Sequence, residues 1–201
     1  MTHESAHAAP VRVLVADDHE LYRRGMRVVL SLDPDIEVVG DADGGRAAID
    51  RAAALAPDVV LMDVRMPDLG GIDACRVIAA QPGAPQVVML SMSDDEGDLY
   101  DAMVAGAIGY VLKDRPAEVI AAAVHDAHAG RPNLTPGVAA RALDALRRLD
   151  PPPLDHQDRL LTQVSRGRSL EDAASELGLG LEESSRILRG ALARLQTVGP
   201  P

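Results

Sequence analysis

The sequence predicts an α/β chain in which a doubly wound parallel sheet is followed by a small all-helical domain. From residue 11 to residue 128, short apolar runs rich in β-branched residues alternate with Ala-rich stretches of helical length. Several of these runs lack polar alternation, which indicates strands buried on both faces, as in parallel sheets. Five strand–helix units in succession favour one sheet covered by helices on both sides.

The strands and helices of the first domain follow each other regularly. Strands are predicted near residues 11–16, 36–40, 58–62, 86–90 and 108–112. Helices are predicted near residues 19–31, 44–55, 70–80, 94–105 and 116–128. Two helix starts carry clear signals, because Ser93 and Glu96 have capping-box spacing and Pro116 suits a first helical position.

A run of three prolines, Pro151 to Pro153, marks the predicted boundary between two domains, because proline cannot join a helix interior. Beyond it, helices are predicted near residues 155–165, 169–177 and 182–196, with Ser169 as an N-cap and Gly178 as a C-cap. The expected organisation is a flexible tail (1–10), a first domain (11–130), a helical linker (131–153, with a helix near 136–149) and a small helical domain (154–201).

The composition restricts both the core and the compartment. The chain has no Phe, no Trp and three Tyr, so aliphatic side chains and Met must fill the core. A single cysteine, Cys75, excludes an intrachain disulfide and favours a reducing compartment. The N-terminus lacks the pattern of a signal peptide, and no apolar run approaches the roughly 18 residues that span a bilayer. We therefore expect a soluble cytoplasmic protein without a membrane partner.

Polar side chains follow the predicted strands at their carboxyl ends. They are Asp17 and Asp18 after the first strand, Asp63 after the third, Ser91 after the fourth and Lys113 after the fifth. Parallel sheets bind ligands in the crevice at this edge. Lys113 is the only lysine of the chain, and an ammonium is a compact charge that can follow a phosphoryl group.

The acidic residues at this edge suggest a metal-dependent phosphoryl acceptor. Carboxylates gathered at one place repel each other unless a hard cation such as Mg²⁺ lies among them. Asp63 is then a candidate nucleophile that forms an aspartyl-phosphate. Each residue also has an ordinary explanation, since Asp17 and Asp18 could cap a helix, Asp63 could belong to a turn and Lys113 could be solvated.

Four motifs together make the chain recognisable. They are residues 13–19 (VLVADDH), 60–67 (VLMDVRMP), 90–91 (LS) and 106–114 (GAIGYVLKD). With these motifs the chain resembles the receiver domain of two-component response regulators, of the NarL/FixJ type with a LuxR-type helix-turn-helix output domain. The resemblance covers nearly all of residues 11–128 and implies a flavodoxin-like, five-stranded parallel fold.

The resemblance also implies a role for each residue at the strand ends. It implies that a sensor histidine kinase phosphorylates Asp63, and that Lys113 is the counter-charge of the phosphoryl group. The implied Mg²⁺ ligands are Asp17, Asp18, Asp63 and the backbone carbonyl of Arg65. Ser91 is implied to follow the phosphoryl group, and Tyr110 to act as a rotameric switch.

The C-terminal part is similar to a LuxR-type output domain but departs from its pattern. The family opens its recognition helix with a Thr-Val-Lys run and a His soon after, where this chain has Glu183, Ser184, Ser185 and Ile187. Carboxylates at this place oppose contact with DNA phosphates. The family's fourth output helix has no counterpart here, so we expect a shortened domain. Candidate contacts to a DNA backbone are Arg186, Arg189 and Arg194.

The residues were weighed against three classes of function, of which two remain open. The leading hypothesis is a response regulator that controls transcription, as a homodimer or as a heterodimer with a related regulator. The alternative is a phosphorylation-dependent interaction module whose helical domain contacts another regulator instead of DNA. A phosphatase is not expected, because Arg65 occupies the position two residues after Asp63 where such enzymes carry an acid/base carboxylate. The only chemistry expected is the chain's own phosphorylation and dephosphorylation.

Overall fold

The computed structural model describes residues 9–92, 95–149 and 154–197. Within them lies a five-stranded parallel sheet with the strand order β2-β1-β3-β4-β5. The strands are β1 (Val11–Ala16), β2 (Ile36–Ala42), β3 (Val59–Asp63), β4 (Gln86–Ser91) and β5 (Gly109–Leu112). The direction of winding reverses between β1 and β3, which opens a crevice beyond their carboxyl ends.

Helices connect the strands and continue past the last one. The five connecting helices are α1 (Glu20–Leu30), α2 (Gly45–Leu55), α3 (Gly71–Ala79), α4 (Glu96–Ala105) and α5 (Ala117–His128). Those that follow are α6 (Pro136–Arg147), α7 (Asp155–Ser165), α8 (Leu170–Glu176) and α9 (Leu181–Gln196). The predicted fold class is confirmed, and element bounds differ from the predicted ones by no more than about two residues.

Strand β3 shows why apolar runs without alternation form the centre of this sheet. All of its residues are buried, and alternate side chains belong to different hydrophobic clusters. Val60 and Met62 pack with α2, α3 and α4 residues, whereas Val59 and Leu61 pack with residues of α1 and α5. Because side chains of a strand point alternately to the two faces, both faces must be apolar when both are covered.

Helix caps follow the sequence signals in part. Ser169 accepts a hydrogen bond from the backbone N–H of Asp172 at 3.0 Å, which confirms the predicted N-cap of α8. Asp95 caps α4 by accepting from the N–H groups of Gly97 and Asp98. The predicted capping box began at Ser93, which lies outside the described residues, as do the prolines of the predicted domain boundary. Pro116 is the N-cap residue of α5 instead of its first residue.

Helices α6 and α9 pack against α4, and the helices after α5 belong to the same hydrophobic cluster as one face of the sheet. Helix α9 contacts α4 as well as α6, α7 and α8. One hydrophobic cluster contains Met103 of α4, Leu146 of α6 and Leu195 of α9, all buried. In addition, the side-chain amide of Gln196 donates to the carbonyl oxygen of Met103 at 3.5 Å. The helical tail is therefore held on the α4 side of the sheet.

Candidate functional site

The carboxyl ends of β1, β3 and β5 bring three charged side chains into contact. Lys113 Nζ lies 2.5 Å from Asp17 Oδ2 and 3.0 Å from Asp63 Oδ2. The side chain of Lys113 is only 5% exposed, and both carboxylates are buried. The ammonium therefore bridges two carboxylates in a place where water screens their charges weakly.

The two carboxylates of this bridge also belong to a group of possible metal ligands. Asp17, Asp18, His19 and Asp63 each offer one ligand atom, and these atoms all lie within 4.8 Å of one another. His19 Nδ1 lies 2.8 Å from Asp18 Oδ1, and the backbone N–H of His19 donates to Asp17 Oδ1 at 2.8 Å. Carboxylate oxygens suit a hard divalent cation, so the three carboxylates of this set fit Mg²⁺. His19 belongs to the motif of residues 13–19 but was not among the expected Mg²⁺ ligands.

The electrostatic environment of Asp63 favours a compensating charge. Burial raises the pKa of Asp63, and the nearby Asp17 carboxylate raises it further. Its hydrogen bond and ion pair with Lys113, and the backbone N–H of Arg65, act in the opposite direction without cancelling the effect of burial. The ionised form of Asp63 is thus disfavoured by its surroundings, and a cation at this edge of the sheet would offset the penalty.

Arg65 enters the site in a different way from the one expected. Its backbone N–H donates to the Asp63 carboxylate, and its side chain is exposed. The expected contribution was the carbonyl oxygen of Arg65 as a cation ligand, and that role stays a prediction.

Ser91 and Tyr110 lie on adjacent strands in diagonal positions, since Met89 is the register partner of Tyr110 and Leu112 that of Ser91. A side-chain hydrogen bond links them. Both residues are buried, and burial is the main reason why the pKa of Tyr110 is raised. The backbone N–H of Lys113 donates to the carbonyl oxygen of Ser91 at 2.7 Å. The expected switch residues are therefore connected with each other and, through the backbone, with the residue that carries the ammonium.

The loop after Asp63 is held by contacts that the sequence did not indicate. The Asp68 carboxylate accepts the backbone N–H groups of Gly45 at 2.9 Å and Arg46 at 3.1 Å, which fastens this loop to the start of α2. A Cβ atom at Gly71 would overlap the carbonyl oxygen of Asp63, whereas one at Gly70 would meet nothing closer than 3.9 Å. The glycine required by packing is Gly71.

Tyr22 of α1 covers the ammonium of Lys113. Lys113 Nζ lies 4.7 Å from the centroid of the Tyr22 ring. This role of Tyr22 was not predicted from the sequence, in which it is one of three aromatic residues. The missed signal was its position in the helix that directly follows Asp17 and Asp18, in a chain with three aromatic residues.

Comparison with known proteins agrees with this geometry. Residues 13–125 match the model of the response regulator receiver domain. The transcriptional regulatory protein LiaR of Bacillus subtilis is 32% identical over 191 residues, which cover 92% of this chain and 90% of LiaR. The chain belongs to the response regulator family. Another relative, the DNA-binding transcriptional activator DevR/DosR of Mycobacterium tuberculosis, is 38% identical over 192 residues, or 92% of this chain and 88% of that protein.

A solved structure supports the same assignment for the first domain. The signal receiver domain of the response regulator NarL from Mycobacterium tuberculosis superimposes with a TM-score of 0.59 and 39% identity, and the match covers 62% of this chain and 100% of that domain. None of the helices among the described residues of this response regulator is long and apolar enough to cross a membrane.

The three arginines expected to contact DNA lie on α9 of the response regulator but in different surroundings. Arg194 Nη1 donates to Gln157 Oε1 of α7 at 3.3 Å. Arg189 lies against Gly130, just after α5, so that a Cβ atom at Gly130 would overlap its guanidinium. Arg186 is exposed. Two of the three are thus in contact with other parts of the chain, which the sequence did not indicate.

The residues that replace the family's Val and Lys in the recognition helix are buried. Ser184 and Ser185 are almost fully inaccessible, and their hydroxyl groups have no hydrogen-bond partner among the described residues. Glu182 and Glu183, by contrast, are exposed at the start of α9. The first turns of this helix therefore present carboxylates to solvent and small polar residues to the core.

Proposed function

We propose that this response regulator accepts a phosphoryl group on Asp63 from a sensor histidine kinase and controls transcription through its C-terminal helices. The observation that carries the proposal is the position of Lys113 Nζ, 3.0 Å from Asp63 Oδ2 and 2.5 Å from Asp17 Oδ2, in a buried site at the carboxyl edge of the sheet. The match to the receiver family over residues 13–125 supports it.

The proposed reaction moves a phosphoryl group from nitrogen to oxygen. The Asp63 carboxylate attacks the phosphorus of a phosphohistidine, a new P–O bond forms, the P–N bond breaks, and its electron pair returns to the imidazole. Lys113 neutralises charge on the transferred group, and the Ser91 hydroxyl donates to one of its oxygens. Such transfer depends mainly on positioning and on neutralisation of charge. The resulting acyl phosphate hydrolyses in time, and no separate substrate is involved.

Mg²⁺ is the proposed cofactor of this site. Asp17, Asp18, Asp63 and the carbonyl oxygen of Arg65 would hold it, and when bound it supplies positive charge for the phosphoryl oxygens. The ligand atoms of Asp17, Asp18 and Asp63 lie within 4.8 Å of one another, together with one of His19, and this supports the assignment.

A path to the tail begins at Ser91 and Tyr110. Tyr110 lines a cavity of about 590 Å³ together with Leu99 of α4 and the start of the linker, including Asn133 and Pro136. The linker is fastened there, since the N–H of Asn133 donates to the carbonyl oxygen of Ile108 at 2.9 Å. We propose that a phosphoryl group at Asp63 draws Ser91 away from Tyr110, and that the new position of Tyr110 biases the packing of the linker.

The output is proposed to be DNA binding by a homodimer or by a heterodimer with a related regulator. Relatives that match 92% of this chain are named as transcriptional regulators, and this favours DNA over a purely protein-binding tail. The exposed Glu182 and Glu183 repel DNA phosphates and weaken DNA binding by a monomer. A dimer makes two sets of DNA contacts at once, which offsets this weakness.

Phosphorylation of the full chain by a small acyl-phosphate donor with Mg²⁺ tests the acceptor. One phosphoryl group should be added, as shown by intact mass, and hydroxylamine should remove it. Asp63→Asn should prevent uptake, whereas Asp73→Asn, a change to an exposed carboxylate of α3, should not. Uptake by the Asp63→Asn variant would refute the site.

For the output, retention of the phosphorylated protein on DNA should fall steeply with salt. A flat response to salt, or no retention at low salt, would refute DNA binding.

A further inference from the structure

The ammonium of Lys113 has an aromatic partner in addition to its carboxylates. The Tyr22 ring centroid lies 4.7 Å from Lys113 Nζ, within the distance at which a ring face attracts a cation. Asp17 and Asp63 contact the same nitrogen through one carboxylate oxygen each. Tyr22 belongs to α1, Asp17 follows β1 and Asp63 ends β3, so three separate elements surround the end of one flexible side chain.

The hydroxyl group of Tyr22 does not explain why the residue lies here. Its oxygen is buried and has no hydrogen-bond partner among the described residues. Burial, followed by the charges of Asp17 and Asp63, raises the pKa of Tyr22, so the hydroxyl stays protonated. A buried hydroxyl without a partner is unfavourable. The favourable contact of this side chain is therefore that of its ring with Lys113.

We propose that Tyr22 is a positioning residue for Lys113 in phosphoryl transfer, an inference that rests on the proposed phosphorylation of Asp63. A ring face attracts a cation without fixing the direction of a hydrogen bond. Lys113 Nζ can consequently shift from the carboxylates to the phosphoryl oxygens and stay covered on its other side. The ring also keeps water from the ammonium, which strengthens its interaction with the transferred group.

Two substitutions at position 22 separate the ring from the hydroxyl. Tyr22→Phe keeps the ring and removes an unpaired hydroxyl, so phosphorylation of Asp63 by the acyl-phosphate donor should proceed at the wild-type rate. Tyr22→Leu removes the ring face. The rate constant should then fall about tenfold, which corresponds to loss of the energy of a partly desolvated cation–π contact. Thermal melts of both variants show whether the fold is retained at the assay temperature.

A second measurement follows the contact itself and does not depend on phosphorylation. Because Lys113 is the only lysine, selective lysine labelling gives one lysine side chain in the NMR spectrum of the full chain. Its methylene protons next to Nζ should be shifted upfield by the ring in the wild type and in Tyr22→Phe, and this shift should be lost in Tyr22→Leu. Tyr100→Leu is the matched control, since it removes a ring at the same 4.7 Å from another cation, Arg141. The Lys113 resonance should not move there.

The outcomes distinguish this inference from the proposed function. Absence of phosphorylation in the wild type would contradict the acceptor role of Asp63, and with it the role of Tyr22. A wild type that is phosphorylated, with Tyr22→Leu equally fast, would overturn the positioning role alone. If Tyr22→Phe were as slow as Tyr22→Leu, the hydroxyl and not the ring would be responsible, and the proposal would again be wrong. An unchanged Lys113 resonance in Tyr22→Leu would show that the ring does not cover the ammonium in solution.

Discussion

Arg189 of α9 lies against Gly130, which follows the C-cap residue of α5 and has a left-handed conformation (φ 68°). The contact joins α9 to the turn that follows α5. Arg194 donates to Gln157 and Gln196 to Met103, so the C-terminal half of α9 is attached at several points. Arg189, a candidate for contact with DNA, thus makes an intramolecular contact in the unphosphorylated chain.

Substitution of Gly130 should loosen this attachment. Gly130→Ala introduces strain at a positive φ, with a loss of about 1–3 kcal/mol in the free energy of unfolding, and it displaces the guanidinium of Arg189. Gly83→Ala is the control, because Gly83 has nearly the same φ of 69° and open space around it. Limited proteolysis should cleave the tail of the Gly130→Ala variant faster than that of the control. Equal cleavage would show that Arg189 does not help to hold the tail.

Replacement of the single lysine by arginine should impair phosphorylation although it keeps the charge. A planar guanidinium is larger than an ammonium and cannot occupy the space between Asp17, Asp63 and the Tyr22 ring in the same way. We expect the rate of phosphorylation of Lys113→Arg to fall at least ~10-fold. Arg115→Lys, an exposed change nearby, should retain the wild-type rate. A fully active Lys113→Arg variant would mean that charge alone is required.

Two glycine-to-alanine changes should act in opposite directions. Gly71→Ala places a methyl group on the carbonyl oxygen of Asp63, so the free energy of unfolding should fall by about 3 kcal/mol and uptake of phosphate should be impaired. Gly25→Ala meets nothing within 4 Å on the exposed side of α1 and should raise the free energy of unfolding by about 1 kcal/mol. Urea unfolding of both variants provides the comparison. A stable Gly71→Ala variant would contradict the close approach.

Serine-to-alanine changes on neighbouring helices should likewise differ in sign. Ser184→Ala removes a buried hydroxyl without a partner and should raise the free energy of unfolding by about 1 kcal/mol. Ser169→Ala removes the N-cap of α8 and should lower it by about 1 kcal/mol. Both can be measured by chemical denaturation. Loss of stability in Ser184→Ala would indicate that its hydroxyl is hydrogen-bonded in solution.

The ion pair between α6 and α7 should stabilise the protein in a pH-dependent way. Arg147 donates to both oxygens of Asp158, at 2.7 and 2.8 Å. This pairing lowers the pKa of Asp158 below its ordinary value of 3.8, so the ionised form is favoured in the folded state. The stabilisation is present above that pH and is lost as the pH falls through the lowered pKa.

Asp158→Asn should therefore reduce the free energy of unfolding by about 0.5–1 kcal/mol at neutral pH, because both partners are partly exposed. The deficit should vanish in strong acid. Asp155→Asn removes a single contact of 3.6 Å on the same helix and should have a smaller effect. Urea titrations of the variants from pH 7 down to pH 2 give the measurement. A deficit that does not change with pH would exclude the ion pair as its cause.

The sheet and the group of charges at its edge could be predicted from the sequence for one reason. Apolar runs such as residues 59–62 require burial on both faces, and parallel strands end at the same edge. Asp17, Asp63 and Lys113 are therefore brought together by the order of the strands, although they are far apart in the chain. Helix bounds could be predicted because capping residues such as Ser169 act locally.

The sequence by itself determined which residues stand at the carboxyl ends of buried strands. Because parallel strands end at the same edge of a sheet, it also determined which charged side chains share that edge. Only the tertiary structure decided that the Tyr22 ring covers Lys113, that Asp68 holds the start of α2, and that α9 lies on α4. These contacts depend on how each helix is rotated and docked, and many rotations satisfy the same apolar pattern. Local propensity selects the elements, whereas packing between distant elements selects their contacts.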